Sequence, residues 1–125
     1  MRTVPADDEI WYTSSDGNVV DPISSAFPTM VSNTYVDGKG VIKFATELTS
    51  IGASAFYGRS SLTSIIIPNS VTSIGNGAFL YCGGLTYISY NGTIAQWNAI
   101  TKVGPVWHEG VPATVVHCTD GDAPI

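Results

Sequence analysis

Charge is what this sequence has least of. Only 12% of its 125 residues are Asp, Glu, Lys or Arg, about half the share usual for a globular chain. From Leu48 to Thr101 there is a single charged side chain, Arg59. The middle of the chain therefore cannot supply a row of acid/base catalysts or a set of metal carboxylates. The acids gather at the ends, with Asp7, Asp8 and Glu9 at one and Glu109, Asp120 and Asp122 at the other. The formal net charge is −5, so the field of the molecule repels phosphate backbones and no nucleic-acid partner is expected.

Histidine and cysteine are as scarce, two of each. Both histidines, His108 and His117, lie in the C-terminal segment, and the sequence has neither a nucleophile elbow nor a phosphate loop, so an enzyme is the least expected class and no cofactor is implied. His108, His117, Cys118, Asp120 and Asp122 fall close together and invite a metal reading. Their spacing has neither C-x-x-C nor H-x-x-x-H, and on a strand His117 and Cys118 face opposite ways. A strand ending in an Asp-Gly turn is expected there instead, with no metal. Two cysteines do not make a disulfide framework. A Cys82–Cys118 bond would need Cα atoms within about 7 Å; the other reading makes Cys82 a small buried hydrophobe.

Long apolar runs are missing too. None reaches the roughly 18 to 20 residues that span a bilayer, so membrane insertion is not expected. "MRTVPADDEIWY" carries a Pro and three acids where a signal peptide would have its apolar stretch.

What the sequence does have is repetition. "SIGASAF" at Ser50–Phe56 returns as "SIGNGAF" at Ser73–Phe79, and setting residues 46–67 against 69–90 gives nine identities in 22 positions at an offset of 23. A tandem repeat of 20 to 29 residues lies in the leucine-rich-repeat range. Each unit begins with an alternating run, "LTSIII" with Leu62, Ile65 and Ile67 pointing one way, then "LTYISY" with Leu85, Ile88 and Tyr90. "GKGVIKF", with Ile42 and Phe44, reads as a degenerate earlier copy. All three are expected strands, and Pro68 stops the second by removing a ladder donor. "VTSIG" predicts a second short extended piece. Ala55 and Phe56, like Ala78, Phe79 and Cys82, are spaced to place one face of a short helical turn inward. One unit cannot bury its own Ile and Phe, but stacking at the strand spacing of about 4.8 Å would set Ile51 on Ile74 and Phe56 on Phe79.

Two atypical segments flank the repeats. "IWYTSSDGNVV" and "SNTYVDGKGVIKF" each hold Asp-Gly between extended runs, the preferred pair for tight hairpins. In "GTIAQWNAI", Thr93 can cap a short helix that buries Ile94, Trp97 and Ile100, and the strand "ATVVHC" follows. Both segments read as caps, with Trp11, Trp97 and Trp107 sealing the two ends; a sugar-stacking platform is the competing reading of these tryptophans.

The units "LTSIIIPNSVTSIGNGAFLYCGGLT" and "LTSIGASAFYGRSSLT" resemble BspA-type leucine-rich repeats, in which strand, Pro, VTSIG, AF and Cys occur in that order. The resemblance runs from Lys39 to about Tyr90, with Arg59 standing where the pattern has Cys. It implies a mainly β, right-handed leucine-rich-repeat solenoid of about two to three coils with short helical turns, used for adhesion or protein binding. The family is abundant in surface proteins of Bacteroides and other host-associated bacteria, so a cell-surface or extracellular location is implied. The expected organisation is an N-terminal hairpin cap over 1–38, repeats over 39–90 and a C-terminal cap of short helix plus strand over 91–125, all one domain. The expected binding face is the outward side of the sheet, with Lys43, Ile66 and Ser89 as one row and Val41, Ser64 and Tyr87 as the other. Its partner is expected to be a protein; a glycan bound by exposed aromatics and a spacer without a ligand are the alternatives.

Overall fold

The fold was analysed in a computed structural model, which describes residues 3–125. Along these residues run β1 (Glu9–Ser14), β2 (Met30–Val36), β3 (Lys39–Phe44), β4 (Ser50–Ile51), β5 (Leu62–Ile67), β6 (Ser73–Ile74), β7 (Tyr87–Tyr90), α1 (Ile94–Ala99), β8 (Thr101–Lys102), β9 (Val115–Cys118) and β10 (Gly121–Pro124). The architecture is mainly β with one short α-helix. The strands form two ladders, a seven-stranded sheet in the order β10-β9-β7-β5-β1-β3-β2 and a three-stranded sheet in the order β4-β6-β8.

The repeated strings account for the parallel part of both ladders. β4 pairs with β6 through Ser50–Ser73 and Ile51–Ile74, and β5 with β7 through Ile65–Ile88, all at the repeat offset of 23. A third set of strands continues each ladder in parallel. β8 joins β6 through Ser73–Thr101, and β9 joins β7 through Ile88–Val116, now at an offset of 28. The longer offset accommodates α1, which precedes β8.

Between the ladders lies the core. Leu62, Ile65, Ile67, Leu85 and Ile88 are wholly buried, as are Ile51 and Ile74. An unbroken column of rings runs through it: Phe44 to Phe27 at 5.2 Å, Phe27 to Phe56 at 5.8 Å, Phe56 to Phe79 at 5.4 Å, Phe79 to Trp107 at 6.2 Å, Trp107 to Trp97 at 5.8 Å and Trp97 to Tyr90 at 5.5 Å. The two repeat phenylalanines are stacked almost parallel, 7° apart, and their other neighbours meet them at an angle. Trp97 and Trp107 thus extend the column past the second repeat and seal that end.

The segments expected to be short helical turns are strings of tight turns instead. Ala55, Tyr57 and Arg59 each donate to the carbonyl three residues back, as do Ala78, Leu80 and Cys82 in the next unit. Ser54 and Gly58, then Gly77 and Tyr81 at the same places one repeat later, take left-handed backbone conformations that break a helix. Their remaining donors reach the neighbouring unit, with Phe56 N–H bonding Ala78 and Gly58 N–H bonding Leu80. Such cross-unit bonds satisfy backbone that a buried turn would otherwise strand.

The N-terminal segment differs most from expectation. Asp37-Gly38 does join a hairpin, β2 with β3, but Asp16-Gly17 lies between no paired strands. Instead β1 inserts between β3 and β5, antiparallel to both. The "GKGVIKF" strand is therefore part of the antiparallel cap, and the strand beside β5 is "EIWYTS". Ile10 and Tyr12 face the core from it. Tyr12 lies over Gly40, its cross-strand partner, where a Cβ would fall inside the ring. The Tyr12 hydroxyl donates to Asn33 Oδ1 (2.7 Å) and accepts from the Val20 N–H (3.0 Å), tying the following loop down.

Candidate interaction face

Alternation along the strands sorts side chains to two sides. Val41, Lys43, Ser64, Ile66, Tyr87 and Ser89 all lie on the side away from the core, and none of them is buried, while Ile42, Phe44, Ile65, Ile67, Ile88 and Tyr90 between them are. The two expected rows do not form as drawn, because β1 separates β3 from β5. Lys43 is opposite Glu9 and Val41 is opposite Trp11. The observed row takes one residue from each strand of the sheet: Thr34, Val41, Trp11, Ile66, Ser89, His117 and Asp122. Ser64 and Tyr87 do adjoin as expected, and Thr13 stands beside Ser64.

Trp11 is the residue that sequence reasoning placed elsewhere. It seals no end; its ring lies on the outward face and is only 9% exposed. Three neighbours account for the cover. Lys39 Nζ sits 3.4 Å from the ring centroid, a cation–π contact. The indole N–H donates to Glu9 Oε1 at 3.2 Å. Glu9 is itself buried, accepting also from the Ala6 N–H (3.2 Å) and lying 3.6 Å from Lys43 Nζ. A buried carboxylate needs such donors to offset lost hydration.

Beside the indole, Trp11, Tyr12, Thr13, Lys39, Ser64 and Ile66 line a depression of about 240 Å³. Two others of similar size exist, one at Phe27–Thr29 with Glu47–Ser50 and one at Asn69 with Gln96 and Ile100. Size does not single out the first; its place in the middle of the outward face does. Thr13 Oγ1 is hydrogen-bonded to Thr63 Oγ1 (2.7 Å) and to Ser64 Oγ, which fixes the polar wall.

At the other end of the face the Tyr87 ring stacks on His117, centroids 4.2 Å apart. His117 Nδ1 lies 2.8 Å from Asp122 Oδ1. Cys118 points the other way, against the core, and both cysteines are free thiols. Among the described residues no group of three or more His, Cys, Asp or Glu could hold a metal ion. A sugar platform would need the exposed Tyr87 and the end tryptophans in one groove, but Trp97 and Trp107 are buried. Nothing in "EIWYTS" says which strands it joins. Its alternation does assign Trp11 and Thr13 to the face opposite Ile10 and Tyr12, and that signal could have found them.

A family model for the BspA type leucine rich repeat region, in six copies, matches residues 39–100. Through that region the chain belongs to the BspA-type leucine-rich repeat family. No curated protein and no solved structure matches the chain at a significant level. Cys82 holds the inward position of the BspA-type repeat, where its thiol donates to the Phe56 carbonyl at 2.9 Å and burial pushes its pKa up to about 11. Arg59 replaces Cys in the preceding repeat, and its guanidinium reaches out to the carbonyls of Asp21 (2.7 Å) and Tyr57 (2.9 Å). The departure from the repeat pattern thus laces the first turn to the N-terminal segment.

Proposed function

We propose that this chain is a non-catalytic interaction module displayed at a bacterial cell surface. Its BspA-type repeats wind as a short right-handed solenoid, and the outward face of the seven-stranded sheet docks a protein. The observation that carries this reading is the unbroken outward row from Thr34 to Asp122, with the Trp11–Ile66 depression at its middle. Hydroxyls, one half-exposed Ile and an exposed Tyr are presented there on strands locked by ladder bonds. A face held in register by its own backbone loses little freedom when a partner docks, so modest contacts suffice. The face mixes apolar and hydroxyl side chains, with Ile66 beside Trp11 at its middle and Tyr87 toward one end, a mixture that suits a protein-binding patch.

The test is a footprint. A partner captured from a lysate of neighbouring cells should bind at least about tenfold more weakly to an Ile66→Lys/Ser89→Glu variant, whose new opposite charges face each other across β5 and β7. The thermal midpoint should not change, and Tyr57→Ser/Tyr81→Ser on the turn side should leave capture intact. Equal capture by the Ile66→Lys/Ser89→Glu variant would show that the outward face is not the binding surface.

A further inference from the structure

The seven-stranded sheet has two edges, and only one is defended. At the β10 edge the strand is four residues long and carries Asp122 and Pro124, the charge and missing donor that natural edges use against pairing. At the other edge β2 runs for seven residues, "MVSNTYV", with no charge and no proline. A bulge between Met30 and Ser32 leaves Ser32–Val36 as regular strand. Thr34 is exposed, and Val36 is 64% exposed.

The register decides which backbone groups are free. Val36 pairs with Lys39 across the two-residue Asp37-Gly38 turn, so it forms a hydrogen-bonded pair and Thr34 the next one. The N–H and C=O groups of Asn33 and Tyr35 point away from β3, to the open edge.

We propose that β2 pairs antiparallel with β2 of a second copy of this chain, about a two-fold axis that passes beside Thr34 and stands perpendicular to the sheet. That axis sets Asn33 opposite Tyr35 of the second copy and uses both free pairs of backbone groups on each side. An axis at Asn33 would draw in Val31 at the bulge, and one at Tyr35 would draw in Asp37, whose φ of 52° is not extended. Only the Thr34 register uses regular strand alone. Register selects a second copy as the occupant, because the free groups of Asn33 and Tyr35 complement themselves about that axis. Two molecules of net charge −5 meet here through an uncharged strand, with Asp120 and Asp122 at the far edges. Lys43, beside Ser32, lies toward the end where Asp37 of the second copy arrives. Because the axis is perpendicular to the sheet, both outward faces look the same way. Their Trp11 residues lie five strand spacings, about 24 Å, apart. The bivalent display that results rests on the interaction reading above; the strand pairing does not.

Sedimentation of the intact chain from about 10 μM to about 1 mM should show a reversible monomer–dimer equilibrium. Thr34→Lys, which sets two like charges face to face, should weaken it by at least about tenfold without moving the thermal midpoint of the monomer. Thr34→Cys in a Cys118→Ser background should cross-link under mild oxidation, since the non-hydrogen-bonded pair holds Cα atoms about 4.5 Å apart. A wild-type chain that stays monomeric at about 1 mM, a dimer indifferent to Thr34→Lys, or a dimer that Thr34→Cys does not cross-link would each overturn the proposal, whatever the outward face captures.

Discussion

Burial of ionisable side chains in so uncharged a chain sets its response to alkali. The Cys82 thiol is pushed up to about 11 by burial, and the phenols of Tyr12 and Tyr90 are raised by burial as well. All three are neutral when protonated, so the folded chain holds their protons more tightly than the unfolded chain, where a thiol and a phenol ionise from 9.0 and 10.0. Their contribution is complete below pH 9 and is lost as pH rises from about 9 toward 11. The urea midpoint should therefore be flat from about pH 7 to 8.5 and fall by about pH 10.5; a midpoint unchanged at the higher pH would contradict the burial. Native-state alkylation should reach half-buried Cys118 before Cys82. The inward place of Cys82 was legible because it follows Ala78 and Phe79 in the repeat. Arg59 was legible as a departure, but its bond to Asp21 joins residues 38 apart that no local pattern connects.

At the scale of the element, α1 was the most readable piece. Thr93 Oγ1 accepts from the Gln96 N–H (3.1 Å) while Gln96 Oε1 accepts from the Thr93 N–H (2.9 Å), a closed capping box. The Ile94 N–H is met by Asp120 Oδ1 at 2.8 Å. At the other end Lys102 Nζ donates to the Trp97 carbonyl at 2.8 Å and lies over the Trp97 ring. A six-residue helix has little stability of its own. Thr93→Ala should cost about 1 kcal/mol and lower the melting temperature by about 4 °C, and Thr93→Ser should restore most of it. A calorimetric scan that finds no difference would remove the cap from the account. Local hydrogen bonding wrote this element into the sequence. The string "VTSIG" was legible as a short extended piece, whereas the "AF" segments read as short helical turns and are not; the left-handed residues Ser54 and Tyr81 that break them are not glycines. Without that marker, turns and one turn of helix look alike in their apolar spacing.

The molecule as a whole is held by the aromatic column from Phe44 to Tyr90 and by the two ladders around it. Phe79 sits between Phe56 and Trp107, joining the second repeat to the C-terminal segment. Phe79→Ala should cost about 3 to 5 kcal/mol, a large part of the roughly 5 to 15 kcal/mol that keeps such a chain folded. The loss should appear in one cooperative transition, seen alike by tryptophan fluorescence and by far-ultraviolet dichroism. Transitions that separate for the two probes would mean that the column does not couple the ends.

By itself the sequence determined what repeats and which way each repeat faces. Periodicity and apolar alternation are local, and stacking at 23 residues follows from them because each unit must bury what it cannot cover alone. The third stack was hidden, since five further residues move the offset to 28 and the matching residues are Thr101 and Val116, not a copied string. Tertiary structure alone decided where β1 goes. An extended segment with Ile10 and Tyr12 on one side could pair with either neighbour in either direction. What settled its place was the open edge of β5 on one side and Gly40 on the other, which leaves room for the Tyr12 ring. That insertion parts Lys43 from Ile66 and sets Trp11 at the middle of the outward face, so the shape of the candidate site came from a contact between distant residues that no repeat encodes.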